Sequence, residues 1–157
     1  MISNINQQTN PRKIKYLVVH TTATRQNADI ESIRAHWRSL GWKSPGYHYI
    51  VDRNGKVIPI QPENLVSNGV AGYNSNSIHI SYIGGIDSAG KPLDNRTPHQ
   101  KNALAVSLRI LKQKYPDAII KGHRDFSPDK NGNGKVDSWE YIKACPCFNA
   151  MVEYKDI

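Results

Sequence analysis

IKYLVVH, residues 14–20, is the stretch whose reading decides the fold. From Ile14 to Val19 it reads as a short, almost continuously apolar strand, buried on both faces rather than alternating between core and solvent. Downstream, Asn27 or Asp29 can cap a helix in which Ile30, Ile33, Trp37 and Leu40 form one apolar stripe, ended by Gly41. Tyr47 to Val51 and Lys56 to Ile60 read as strands joined by Asp52-Arg53-Asn54-Gly55, whose Asn-Gly pair suits a tight hairpin. Ser77 to Ile83 is a further strand, stopped by Gly84-Gly85. Thr97-Pro98-His99-Gln100 is a capping box with proline at the first helical position. Leu104, Leu108, Leu111 and Tyr115 follow on one face, and Pro116 closes the helix. Ala118 to Lys121 is a last short strand running into Gly122-His123. Strands and helices mixed in this order, with one hairpin, predict an α/β fold: a mixed central sheet flanked by helices. Residues 1–13 read as a polar N-terminal arm, and 14–157 as a single domain.

The bulk composition narrows the class. At 157 residues the chain has the size of one ordinary domain. No apolar run approaches the roughly 20 residues of a membrane helix, so no membrane insertion is expected. The opening MISNINQQTNPRKIK is polar and lacks the apolar core of a secretory signal. Twenty-one Lys and Arg against 13 Asp and Glu leave a net charge of +8, which favours an acidic partner. The basic residues are scattered and form no nucleic-acid module, so no nucleic acid is expected; anionic bacterial cell wall suits the charge equally well. The two cysteines, Cys145 and Cys147, flank a single proline. A bridge across it would be strained, so reduced thiols or a metal thiolate are expected.

Two histidines share a position, because each directly follows an apolar strand: His20 closes LVVH and His123 follows AIIKG. Strand ends are rigid platforms where the sites of α/β sheets gather. Cys145, in KACPCF, offers a soft thiolate donor. Two imidazoles and a thiolate, with a fourth position left for water, make a catalytic rather than a structural zinc set. Either histidine alone reads more readily as a hydrogen-bonded core residue than as a ligand, and the spacing by itself does not join the three.

A resemblance joins them. VVHTTAT (18–24), IRAHWRSLGW (33–42), GYHYIVDRNGKV (46–57), GYNSNSI (72–78), IGGID (83–87), GHRD (122–125) and KACPCF (143–148) run in the order seen in one family. On these motifs the chain resembles the zinc-dependent N-acetylmuramoyl-L-alanine amidases of the T7-lysozyme type and, more distantly, the peptidoglycan recognition proteins. The resemblance implies an amidase/recognition-protein-like fold and zinc on His20, His123 and Cys145. It places the active-site tyrosine at Tyr47 and the active-site lysine at Lys143. The implied reaction cuts the amide between N-acetylmuramic acid and the L-alanine of the stem peptide. In it a metal polarises the carbonyl and activates water, while Lys143 and Tyr47 stabilise developing charge. The general base is left open. His36 and His99 read as surface residues, and His48, alternating with Tyr47, should face away from the metal. His79 departs from the family, whose members often have glycine there. It either fills a core gap or reaches the cleft.

A second pattern lies inside the motif region. DKNGNGKVDSWE, residues 129–140, satisfies the calcium-loop pattern D-x-[DN]-x-[DN]-G-x5-E. Asp129, Asn131, Asn133, Asp137 and Glu140 take the side-chain positions and Lys135 the backbone one. The alternative is a Gly/Asn/Asp-rich surface loop that binds nothing, since Pro128 stands where an entering helix would be. A calcium ion here would hold Lys143 and Cys145 in register with the zinc. The chain is thus expected to be a monomeric peptidoglycan hydrolase of the phage or prophage endolysin kind. Made without a signal peptide, it would reach the wall by holin-type or other release. The rivals are a muropeptide receptor that does not cut and a protein with a structural zinc.

Overall fold

The computed structural model describes residues 10–157; most of the stretch read as an N-terminal arm, residues 1–9, lies outside them. In chain order the elements are β1 (Tyr16–Thr21), α1 (Ile30–Ser39), β2 (Tyr49–Val51), β3 (Val57–Pro59), β4 (Ser77–Tyr82), α2 (Pro98–Lys114), β5 (Ile119–Gly122) and α3 (Ala150–Glu153). The five strands form one sheet in the order β3-β2-β4-β1-β5. Among the described strands the β2–β3 hairpin is the one antiparallel pair; β1 pairs in parallel with both β4 and β5, and β4 with β2. The expected mixed sheet flanked by helices is therefore present.

Burial on both faces explains why residues 14–19 lack alternation. Leu17, Val18 and Val19 are fully buried. On one face Leu17, Val19, Ile78 and Ile80 meet Leu104, Leu108 and Leu111 of α2. On the other, Ile33 and Trp37 of α1 pack with Ile50 and Ile83. The register sets Val18 opposite His79 and His20 opposite Ser81, so these four share the α1 face.

Local chemistry starts the two long helices, α1 and α2, where the sequence reading put them. The Asp29 carboxylate accepts from Ser32 N–H at 2.7 Å and caps α1. At α2, Thr97 Oγ1 accepts from Gln100 N–H at 3.1 Å, while Gln100 Oε1 accepts from Thr97 N–H at 3.0 Å, the reciprocal capping box. In the hairpin, Gly55 N–H donates to Asp52 O at 2.9 Å and Gly55 takes the positive φ; Asn54 does not. β3 stops at Pro59 on the sheet edge, where the missing N–H breaks no ladder.

Three features differ from expectation. Leu40 is the C-cap of α1 and is 51% exposed, so the buried stripe stops at Trp37. Helix α3 was not foreseen, because four residues are too few to show a period. Its Ala150 is buried in the α2-side core with Phe148 and Tyr154. Within the stretch read as an arm, Arg12 donates to the carbonyls of Glu63, Leu65, Asn74 and Ser77, tying that segment to the body.

Arg96 fastens the C-terminal end to α2. Its guanidinium pairs with Asp94 at 2.9 Å and Glu153 at 2.7 Å and lies 3.3 Å above the Phe148 ring. For Asp94, burial alone would raise the carboxyl pKa, but the Arg96 hydrogen bonds and charge reverse this and hold it low. Glu153 is held low by the same guanidinium, against a smaller effect of burial. A carboxylate with a depressed folded pKa contributes stability above its ordinary value, about 3.9 for Asp and 4.3 for Glu, and loses it as pH falls through the folded value. Arg96→Met should therefore lower the melting temperature at neutral pH and flatten its decline in acid. Thermal melts across that range would refute this if the two proteins gave parallel profiles.

Candidate active site

The site is assembled by strand pairing. His20 lies near the end of β1, is 1% exposed, and faces the α1 side of the sheet. β5 runs beside β1 with Val19 opposite Gly122, so His123, the next residue, emerges next to His20. Their rings stand 4.9 Å apart at 70°.

Cys145 arrives from a loop that the strand ends hold by four contacts. Arg124 N–H donates to Cys145 O at 2.8 Å, and the Tyr82 hydroxyl donates to Pro146 O at 2.7 Å. Thr21 N–H points at Cys145 Sγ at 3.2 Å. Glycine at 122 permits the fourth, since a Cβ there would sit 2.7 Å from Pro146 Cδ. As a result Cys145 Sγ lies 3.7 Å from His20 Nδ1, and one ligand atom from each of His20, His123 and Cys145 falls within 4.8 Å of the others.

That triangle suits a metal of zinc's size. Tetrahedral Zn–N and Zn–S bonds of about 2.0–2.3 Å set donor atoms between roughly 3 and 4 Å apart. Its electrostatics also suit a cation. Burial first, then the nearby His79, His123 and Lys143, hold His20 well below the usual imidazole range. His123 is lowered to about 4, by burial and then by Lys143. Both rings are therefore neutral near pH 7 and offer lone pairs. Burial pushes the Cys145 thiol up to about 12 despite the Thr21 N–H. A cation within the triangle would reverse that by stabilising the thiolate.

Tyr47 packs against His20, with centroids 5.0 Å apart, and edge-on to Trp37 at 5.6 Å. Its hydroxyl donates to Thr21 O at 3.3 Å. Burial, then the neighbouring Cys145, raises its pKa, so the phenol stays a donor. Lys143 is exposed and lines the same cleft as His20, Tyr47 and His123. The cleft holds about 290 Å³, with Trp37, Trp42, Thr22 and Asn68 among its walls.

The other histidines divide. His36 and His99 are exposed, as expected, though His36 also lines the cleft. His48 does not face away. Regular strand begins only at Tyr49, so Tyr47 escapes the alternation, and His48 stacks on His79 at 5.9 Å and 12° on the α1 face. His79 is fully buried and reaches the His20–His123–Cys145 triangle through His20, its Nδ1 2.8 Å from His20 Nε2. Of the two alternatives left by the sequence, it fills the core; it does not line the cleft and meets the site through His20.

The 129–140 loop folds on its own backbone. The Asp129 carboxylate accepts from Gly132 and Gly134 N–H at 2.9 and 2.8 Å. Asn131 and Asn133 donate to Asp137 Oδ2 at 2.9 and 2.8 Å. Glu140, 1% exposed, accepts from the backbone N–H groups of Lys130, Asn131 and Asp137. Lys135 N–H donates to Asn133 Oδ1 at 2.9 Å. Among the described residues, its three carboxylates do not converge as His20, His123 and Cys145 do.

Two neutral imidazoles and a thiol converging beside an open cleft, with a tyrosine and a lysine nearby, make a possible metal site of hydrolase type. The chain belongs to the N-acetylmuramoyl-L-alanine amidase family, whose model matches residues 10–146. It is 36% identical over 145 residues to an endolysin of Enterobacteria phage K11, covering 91% of this chain and 87% of that one. An endolysin of Escherichia phage T7 is 36% identical over 135 residues, covering 85% and 80%. Among solved structures, the Ph2119 endolysin from a Thermus scotoductus bacteriophage aligns with TM-score 0.65 at 26% identity, covering 90% and 84%. Bumblebee PGRP-SA shares the fold, with TM-score 0.68 at 19% identity over 98% of this chain and 89% of that one.

The role of Gly122 can be tested directly. Gly122→Ala should press on Pro146 and move Cys145 off the strand end. Metal uptake should weaken while circular dichroism stays native; unchanged metal affinity would show that the loop is not held there.

Proposed function

We propose that this protein is a zinc-dependent peptidoglycan hydrolase that cleaves the amide between N-acetylmuramic acid and the L-alanine of the stem peptide, in cell-wall lysis of the phage endolysin kind. The observation that carries this reading is the convergence of His20, His123 and Cys145 at the open cleft of a matched amidase domain. His20, His123 and Cys145 would hold the metal. Zinc bound there supplies Lewis acidity to the scissile carbonyl and to the attacking water.

The remaining work falls to the chain's own groups. Lys143 carries its ammonium on the cleft wall, where it can stabilise the oxyanion that develops on the former carbonyl oxygen. Tyr47 stays protonated and can turn its hydroxyl from Thr21 O towards the tetrahedral centre. The exposed rings of Trp42 and the side chain of Leu40 offer an apolar ledge for the peptide stem. The net charge of +8 favours approach to an anionic wall.

Digestion of purified peptidoglycan, read by mass spectrometry with metal content measured on the same sample, tests the proposal. His20→Ala and Cys145→Ala should lose both bound zinc and lysis. Tyr47→Phe and Lys143→Ala should keep zinc and lose about a hundred- to thousandfold in turnover. Full activity in Cys145→Ala would remove the metal assignment, and intact muropeptides after digestion would favour a receptor instead.

We also propose calcium as a second, structural ion on the 129–140 loop. Support comes from its twelve-residue pattern and from the turns at Gly132 and Gly134, with φ of 71° and 84°. Added calcium should raise the melting temperature of the wild type. Glu140→Gln should abolish that rise and lower both stability and lysis; a melting temperature indifferent to calcium would leave the loop without an ion.

A further inference from the structure

Behind the metal triangle lies a chain of hydrogen bonds whose direction can be worked out from one fixed donor. Val70 N–H donates to Asn74 Oδ1 at 2.8 Å, which identifies that amide atom as the oxygen. His79 Nε2 lies 2.9 Å from the same oxygen and must therefore carry the hydrogen. His79 is fully buried, and both its ring nitrogens meet neutral groups, so it is neutral and its Nδ1 is a lone pair. That lone pair lies 2.8 Å from His20 Nε2, so the proton between them belongs to His20. His20 Nδ1 is then left as the free lone pair, and it is this atom that faces Cys145 Sγ.

The neighbours hold the His79 ring in place. His79 N–H donates to His48 Nδ1 at 3.0 Å, which leaves His48 Nε2–H to donate to Leu65 O at 2.8 Å. The two rings stack within 12° of parallel. The loop carrying Gly69 also closes on the ring, so tightly that a Cβ at 69 would lie 2.3 Å from His79 Nδ1. The pocket is thus built around an imidazole, and glycine at 69 is the condition for it.

We propose that His79 is a positioning residue of the metal centre: by accepting the Nε2–H of His20 it fixes that ring's tautomer and plane and presents Nδ1 as the metal ligand. This rests on the reading of His20 as a ligand. Outer partners of this kind hold a ligating imidazole in register and raise its basicity, and their loss typically weakens metal binding by about 10–100-fold. His79 touches no substrate in this scheme; it acts through His20.

Two measurements test it. Long-range nitrogen–proton NMR on the metal-free, full-length protein should report His20 and His79 both as Nε2–H tautomers. An Nδ1–H tautomer at His20 would overturn the proposal without any variant being made. Zinc competition against a chromophoric chelator should then show about 10–100-fold weaker binding in His79→Leu, which fills the space but offers no acceptor. His79→Gln, which returns a carbonyl acceptor, should recover part of the loss. Gly69→Ala, which displaces the ring, should resemble His79→Leu. Cobalt substituted for zinc should give a shifted visible spectrum in His79→Leu. Equal zinc affinity and an unchanged cobalt spectrum in His79→Leu would reduce His79 to core filling. Absence of zinc binding in the wild type would instead remove the metal reading itself, and this inference with it.

Discussion

Parallel pairing of β1 with β5 on one edge and β4 on the other sets the positions of the three histidines at the site, His20, His79 and His123. The pairing to β5 sends His20 and His123 out side by side. The pairing to β4 puts His79 on the same face as His20, one step behind it. Parallel ladders are buried, and both faces here are covered, by α1 and by α2. A donor triangle built on such a strand would need little ordering to take a cation, because backbone hydrogen bonds have already placed two of its three donors.

The third donor depends on the same platform by a different route. Cys145 belongs to no strand, yet its segment touches β1 through Thr21, β4 through Tyr82, and the β5 end through Gly122 and Arg124. The intervening 129–140 loop closes on its own backbone around Glu140, so a long connection returns to the sheet in a defined place. The C-terminal end adds a further anchor through Arg96, Phe148 and Glu153.

Burial governs the chemistry of the centre. It keeps His20, His79 and His123 neutral and Cys145 protonated in the absence of a cation. Neutral imidazoles give directional hydrogen bonds with one donor and one acceptor each, which is why a single backbone N–H at Val70 can dictate the protonation pattern as far as His20. Had these rings been exposed, water would have broken that direction at each step.

The sequence by itself determined the elements and the class. The unbroken apolar run at 14–19, the capping box at Thr97–Gln100 and the turn at Asp52–Gly55 are local signals, and each element formed near where its signal lay. The motif order carried the family and named His20, His123, Cys145, Tyr47 and Lys143, although spacing alone could not join them. Tertiary structure decided what depends on register between distant strands. Alternation within one strand could not say that His48 and His79 share the face of His20, because that depends on where regular strand begins and on which residues of β2, β4 and β1 lie opposite each other. Nor could it say that Gly69 and His79 occupy one space, since a loop's closing distance is set by packing across the sheet. Side-chain type and local spacing are written along the chain; hydrogen-bond direction between residues some sixty positions apart, as in His20 and His79, exists only after the strands have paired.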